Sequence, residues 1–391
     1  MSLTKKESSL LGSVLLLLFV LSNLLSHFVM KQSWEISVFD EGYALEQSRF
    51  VKIKGAYFVH PFYGLNSATA VGFQSDVSVE NNFQRVSSKP VSGEIKVLVL
   101  GGSVAGNLSF PSTDIEGPDP FARLLNERFG TDRFVVYNAA FGGGKQPQQY
   151  FKYLYLDLLG FSPDVIINYD GFNEVALPFG ENIGRSLNAI YPQSFDRAVQ
   201  STAASGSCIG LNNWMLSHNS YLPVYELIKW IYVKRCHEDL TGFLKEWQFV
   251  IDKNFELEKA KYLQRVLNIW SFSSNKLAAV ADERGIPYIH VIQPNQYLKN
   301  SKPFSKKEVA EYLNYAPYKG PIELHYQKLS LDELLTANRL DQRWIFIDEI
   351  RTVYSDNCCH FNKLGMETII SDILDNFEPV FESLLSSQNV F

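Results

Sequence analysis

The sequence predicts an α/β fold built on a parallel sheet, and three observations carry that expectation. Runs such as KVLVL (96–100), FVVY (134–137) and VIINY (165–169) lack polar alternation, the composition of strands buried on both faces. Segments with helical spacing of apolar residues separate them, as in successive βαβ units. Glycine-rich or polar pieces then follow the runs: GGS (101–103), NAAFGGG (138–144), DGFNE (170–174) and QPN (293–295). Sheets of this kind bind ligands at the carboxyl ends of their strands, where these pieces fall.

Taken in order, the chain opens with an apolar stretch. No Asp, Glu, Lys or Arg stands between Glu7 and Lys31, and Lys5 and Lys6 precede the run. That length suits a bilayer span of roughly 20 residues, so residues 1–30 are expected to form an N-terminal transmembrane helix. The flanking lysines place the short N-terminus in the cytoplasm and the remainder in the periplasm or outside the cell. A cleaved signal peptide is the competing reading, but no A-x-A-like site follows the run. Residues 31–92 carry turn-forming stretches such as HPFYGLNSAT (60–69) and read as a lead-in of short strands and loops.

The α/β domain is expected over 93–385. Strands are predicted at EIKVLVLGGS (94–103), RFVVYNAA (133–140), PDVIINYDG (163–171), IPYIHVIQPN (286–295) and WIFIDEI (344–350). Helices are predicted at DPFARLLNERFG (119–130) and KQPQQYFKYLYLDLLG (145–160), with one amphipathic helix closing the chain at 363–385. The gap between the third and fourth strands is longer than a crossover requires. It reads as a helical insertion, about 176–284, containing YLPVYELIKWIYVKRC (221–236) and EKAKYLQRVLNIWSFSSNKLAAVADERG (258–285). A lid beside the site and a simple packing addition both fit it. A shorter insertion, with KKEVAEYL (306–313) and LSLDELLTANR (329–339), follows the fourth strand.

Composition narrows the function. The net charge is −6 and the positive charges form no long block, which argues against nucleic acid as a partner. GGSVAGN (101–107) lacks the spacing of a dinucleotide fingerprint and the Lys-Ser/Thr of a phosphate-binding loop. With no H-E-x-x-H and no paired C-x-x-C, neither metal nor cofactor is expected. Of the four cysteines, Cys208 and Cys236 could bridge the insertion. Cys358 and Cys359, as neighbours, could close only a vicinal ring; two buried thiols are the alternative.

Ser103 sits where a strand turns into a helix, a place from which a hydroxyl can point into a cleft. His360 lies in SDNCCHFN (355–362), between the last strand and the last helix. A serine nucleophile needs an imidazole to take its proton and an acid to orient the ring. Attack on an ester then needs preorganised donors for the oxyanion. NAAFGGG offers backbone N–H groups and Asn173 offers a side-chain amide, although a tight turn and a helix N-cap would explain the same residues. Gln293 and Asn295, after the fourth strand, are candidates for contacting substrate or for capping a loop, while His60 and His290 read as structural.

In this order the blocks resemble those of the SGNH/GDSL-type hydrolases. GGSVA is similar to the first block, with Gly102 where the motif has Asp. NAAFGG is similar to the second and points to Gly143, GFN (171–173) to the G-x-N of the third, and His360 to the last. The resemblance covers roughly 93–385 and implies a flavodoxin-like three-layer α/β/α sandwich. It also implies an oxyanion hole from the N–H groups of Ser103 and Gly143 with the Asn173 amide. The family's acid lies three residues before the histidine, where this chain has Asn357; Asp356 is one residue further back. Asp356 is therefore expected to complete the triad, with Asn357 as the alternative ring orienter and a Ser–His dyad as a third arrangement. The expected activity is hydrolysis of O-acyl esters, O-acetyl foremost, on cell-envelope or exported glycans. Acyl transfer to a glycan hydroxyl and a non-catalytic glycan-binding or scaffold role are the alternatives.

Overall fold

The computed structural model describes residues 19–22, 57–60, 64–67, 84–85, 92–109, 119–183, 188–193, 259–313 and 316–387. Of the predicted anchor, only Phe19–Ser22 fall among these, and they are helical. Among the described residues no helix is long and apolar enough to cross a membrane. The lead-in contributes short strands at Tyr57–His60 (β1), Gly64–Ser67 (β2) and Gln84–Arg85 (β3). The 221–236 segment of the insertion, together with Cys208 and Cys236, lies outside the described residues.

The domain is built on a six-stranded sheet. Its further strands are β4 (Ile95–Gly101), β5 (Phe134–Asn138), β6 (Val165–Asp170), β7 (Tyr288–Ile292) and β8 (Arg339–Asp341), in the order β3-β5-β4-β6-β7-β8. All neighbours pair in parallel except β3, which runs antiparallel to β5 at the edge. Taken in chain order, the five parallel strands lie second, first, third, fourth, fifth. The chain thus winds outward from β4 to β5 and then back past β4 to β6. The connections diverge between β4 and β6, which opens a crevice beyond their carboxyl ends.

Strand periodicity sends alternate β4 residues to opposite faces. Val97 and Val99 join a core with Phe121, Leu125 and Ile369, whereas Leu98 and Leu100 join another with Tyr153, Leu156 and Leu277. Helices α2 (Pro120–Phe129) and α8 (Lys363–Asn376) supply the first face, and α3 (Gln148–Leu158) and α5 (Lys259–Glu283) the second. α1 (Ser103–Asn107) precedes these helices in the chain, and α4 (Phe172–Leu177), α6 (Lys306–Glu311) and α7 (Ala316–His325) lie between them. Local signals place α2: Asp119 accepts the Ala122 N–H at 2.9 Å, Pro120 occupies the first position, and Gly130 ends it in the left-handed conformation.

Two expectations are corrected. Residues 344–350 form no strand; they fold as successive turns, with Ile345 N–H bonded to Gln342 O and Ile347 N–H to Trp344 O. Phe346 packs against Tyr354 and Phe361, while Ile347 and Ile350 are exposed. The fifth parallel strand is instead β8, a short edge strand whose RLD sequence has no apolar run to announce it. The closing helix is also interrupted: α8 ends at Asn376, Phe377 leaves helical geometry, and α9 (Glu378–Ser387) restarts with Pro379 in its first turn. Proline's missing N–H and its ring are tolerated there but not inside a continuous helix.

Candidate active site

The carboxyl end of β4 makes a glycine-dependent elbow. Gly101 has φ +146°, and a Cβ there would collide with Tyr169 O and the Ala105 side chain. A Cβ on Gly102 would collide with Asn173 Nδ2. Two successive glycines therefore let the chain turn sharply against β6 and place Ser103 at the start of α1, half-buried.

His360 reaches this serine from the far end of the sequence. Its Nε2 lies 2.8 Å from Ser103 Oγ, and its Nδ1 lies 2.5 Å from Asp356 Oδ2. With the proton on Nδ1, the ring donates to Asp356 and accepts from Ser103. Asp356 Oδ1 in turn accepts the N–H groups of Cys358, Cys359 and His360 at 2.9, 3.0 and 3.2 Å. Burial works against the carboxylate, but the His360 hydrogen bond and charge, with the Cys358 and Cys359 amides, hold its pKa down at about 2. Asn357, the alternative ring orienter, has an exposed side chain. The acid on the ring is thus four residues before the histidine. In this loop the carboxylate also caps the turn.

The loop is held by residues that the pattern of sequence blocks does not reveal. Ser355 N–H bonds to His360 O at 2.9 Å, closing its base. Three consecutive side chains after β7 capture its carbonyls. Asn295 Nδ2 donates to Cys358 O at 3.2 Å, Gln296 Nε2 to Asp356 O at 3.0 Å, and the Tyr297 hydroxyl to Asn357 O. Cys358 and Cys359 are joined to each other, so the two-thiol alternative does not hold. The group Cys358, Cys359 and His360 has metal-ligand chemistry, but its sulfurs are bonded together and both imidazole nitrogens are engaged.

Of the two readings of Gln293 and Asn295, substrate contact and loop capping, the second describes Asn295. Asn295 is fully buried, and its amide serves Cys358 O and the Tyr297 N–H. Gln293 is also buried, with its backbone joined to Asp170 O and to the Tyr326 hydroxyl. The Asn295 side chain thus supports the His360 loop from within. His290 is fully buried against Asp170, Ser274 and Tyr288; the side chain of His60 is outside the described residues.

The other two blocks converge on the same crevice. Gly143, with φ +71°, lies in the turn closed by Gly144 N–H to Phe141 O at 2.9 Å. A Cβ on Gly144 would come within 2.6 Å of Gly101 O, so this turn rests directly on the elbow. Asn173 Nδ2 donates to Gly144 O at 2.8 Å, which uses one of its two N–H groups and ties the third block to the second. A rim segment, 188–193, crosses the outside of this turn: Lys145 Nζ holds Ala189 O at 2.5 Å and Gln148 Nε2 holds Ile190 O at 2.7 Å. Gln193 from this segment lies against Gly143, where a Cβ would collide with its side chain.

No family model and no curated protein matches the chain. Two solved structures are similar in outline. One, described as a GDSL-like lipase from Parabacteroides merdae ATCC 43184, is 11% identical with a TM-score of 0.32 and covers 75% of this chain and 99% of its own. The other, LAE5, an α/β hydrolase enzyme from the metagenome of Lake Arreo, Spain, is 12% identical with a TM-score of 0.33 and covers 73% and 96%. At that level of similarity neither neighbour assigns a function to this chain.

Proposed function

We propose that this chain is a serine esterase of the SGNH/GDSL type, with a flavodoxin-like α/β/α domain that hydrolyses O-acyl esters of cell-envelope or exported glycans. The observation that carries the chemistry is the hydrogen-bonded series Ser103–His360–Asp356 at the carboxyl end of the sheet. His360 Nε2 takes the proton as Ser103 Oγ attacks the ester carbonyl, and Asp356 balances the imidazolium. The oxyanion is received by the N–H groups of Ser103 and Gly143 and by the remaining N–H of the Asn173 amide, each such donor worth about 10²–10³ in turnover. His360 then protonates the leaving alkoxide, and water, activated by the same imidazole, releases the acyl group from Ser103.

The glycan substrate rests on the sequence resemblance and on the apolar segment 1–30, which would tether the domain outside the cytoplasmic membrane. A second reading, transfer of the acyl group to a glycan hydroxyl, shares the acyl-serine intermediate and differs only in the nucleophile that releases it. The test is labelling of the full chain by a fluorophosphonate, compared with Ser103→Ala, followed by turnover of acetylated glycans with and without an acceptor glycan. Ser103-dependent labelling with release of free acetate supports hydrolysis; acetylated acceptor supports transfer. Absence of both labelling and turnover overturns the enzyme reading and leaves the non-catalytic binding role.

A further inference from the structure

Next to Asn173 stands a carboxyl group for which the reaction so far has no use. Glu174 is 3% exposed, too deep to meet a substrate. Its Oε2 accepts the Gly171 N–H at 2.8 Å, while Oε1 accepts the Gln146 N–H at 3.0 Å and Gln149 Nε2 at 3.2 Å. Gly171 is the N-cap of α4, whose first turn carries both Asn173 and Glu174, and Gln146 lies three residues beyond Gly143. One carboxyl group therefore supplies the glutamate half of the capping box of α4 and ties that helix to the turn bearing the other donor to the same oxyanion.

The surroundings make this link rigid. Asp170 accepts from Trp270 Nε1 at 3.0 Å, Asn168 Nδ2 at 2.7 Å and His290 Nε2 at 2.9 Å, which anchors the strand end just before Gly171. Gln146 Nε2 donates to Gln149 Oε1 at 2.7 Å, so the far side of the link is itself cross-braced. Burial and the neighbouring Asp170 charge raise the Glu174 pKa to about 8. Removing Glu174 would leave the buried N–H groups of Gly171 and Gln146 without their acceptor, and both the start of α4 and the segment after Gly143 would have to shift to find another.

We infer that Glu174 is a positioning residue, whose carboxyl fixes the spacing between the Gly143 turn and the first turn of α4, where Asn173 lies, and thereby the shape of the oxyanion hole. The inference rests on the esterase reading above. Oxyanion donors act only when they lie about 2.7–3.1 Å from the developing charge, and displacement by about 1 Å can cost 10²-fold in rate. Because those donors matter most in the transition state, the loss falls on kcat rather than on KM.

The experiment compares Glu174→Ala and Glu174→Gln with wild type in the full chain. The readouts are turnover of p-nitrophenyl acetate per fluorophosphonate-titrated site and amide hydrogen exchange of the Gly143 turn and the start of α4. Titration counts competent sites, so a merely misfolded fraction does not register as slow chemistry. Glu174→Ala is expected to lower kcat per site by about 10²-fold with KM within about threefold. Glu174→Gln, which keeps one carbonyl oxygen to accept, should fall between, and exchange at 143–146 and 171–173 should quicken in both. Turnover per site within about threefold of wild type in both variants, or unchanged exchange, overturns the inference. Should Glu174→Ala fail to fold, Glu174→Gln decides by the same criteria. If wild type itself shows no Ser103 labelling, the esterase reading fails, and the exchange measurement still decides whether Glu174 joins the Gly143 turn to α4.

Discussion

Replacing Asp356 with asparagine separates its two duties. Oδ2 faces His360 Nδ1, and Oδ1 accepts three backbone N–H groups. The amide oxygen of an asparagine can keep the three backbone bonds, which leaves its NH₂ toward the ring. An NH₂ donor there demands an unprotonated Nδ1, so the proton moves to Nε2 and the imidazole can no longer accept from Ser103. The corresponding change in a well-characterised Ser-His-Asp triad lowers turnover about 10⁴-fold, and a loss of about 10³–10⁴ is expected here. Asn357→Ala removes only an exposed side chain and leaves the carbonyl that Tyr297 holds, so turnover should stay within about twofold. Steady-state hydrolysis of p-nitrophenyl acetate and the rate of fluorophosphonate labelling measure both variants, with circular dichroism as the folding control. Asp356→Asn at near wild-type rate, or collapse of Asn357→Ala, would refute the assignment of the acid.

Three further outcomes follow from the geometry. Gly102→Ala places a methyl against Asn173 Nδ2; kcat should fall about 10²-fold as the amide is pushed from the oxyanion, a loss of one donor, and steady-state kinetics would show it with little change in KM. Lys302→Ala strips the partner from Glu308, both side chains being fully buried at 2.9 Å. Breaking such a pair costs about 3–5 kcal/mol, and because Glu308 also accepts the N–H groups of Val353 and Tyr354 just before the His360 loop, a urea titration should show lost stability alongside lost activity. Burial, then the Asp170 charge, raises the Glu174 pKa from 4.5 to about 8. The native state thus holds a proton that the unfolded chain has released, so stability should fall as pH rises from about 4.5 through 8. Glu174→Gln should flatten that slope in urea midpoints measured across this range.

Legibility differed from element to element for physical reasons. β4, β5, β6 and β7 lie inside the sheet with helices on both faces, and their mostly apolar runs announce it. β8 lies at the edge, where half the surroundings are solvent, so its polar RLD carries no signal and the more apolar WIFI downstream drew the prediction away. The interrupted C-terminal helix was foreshadowed only by Pro379. Ser103 and Asn173 stood out because their glycine neighbours mark tight turns at strand ends. Asn295 occupies an equivalent position after β7, yet folds inward to hold Cys358 O. Strand ends all look alike in sequence, and only packing decides which of their side chains face the cleft. Glu174 carried no signal, since an acidic residue in the first turn of a helix is ordinary.

The sequence by itself determined the α/β class, the positions of its four inner strands along the chain and the residue types that could carry acyl chemistry. These properties are local: apolar runs, glycine elbows and polar strand ends are written in consecutive residues. The tertiary structure decided what depends on approach between distant segments. It set Asp356 rather than Asn357 against a ring that meets a serine 257 positions away. It turned Asn295, Gln296 and Tyr297 into supports for that loop, and it buried Glu174 between α4 and the segment after Gly143. Distance along the chain says nothing about such contacts, because they are fixed by the winding of the sheet and by the need to pair every buried donor.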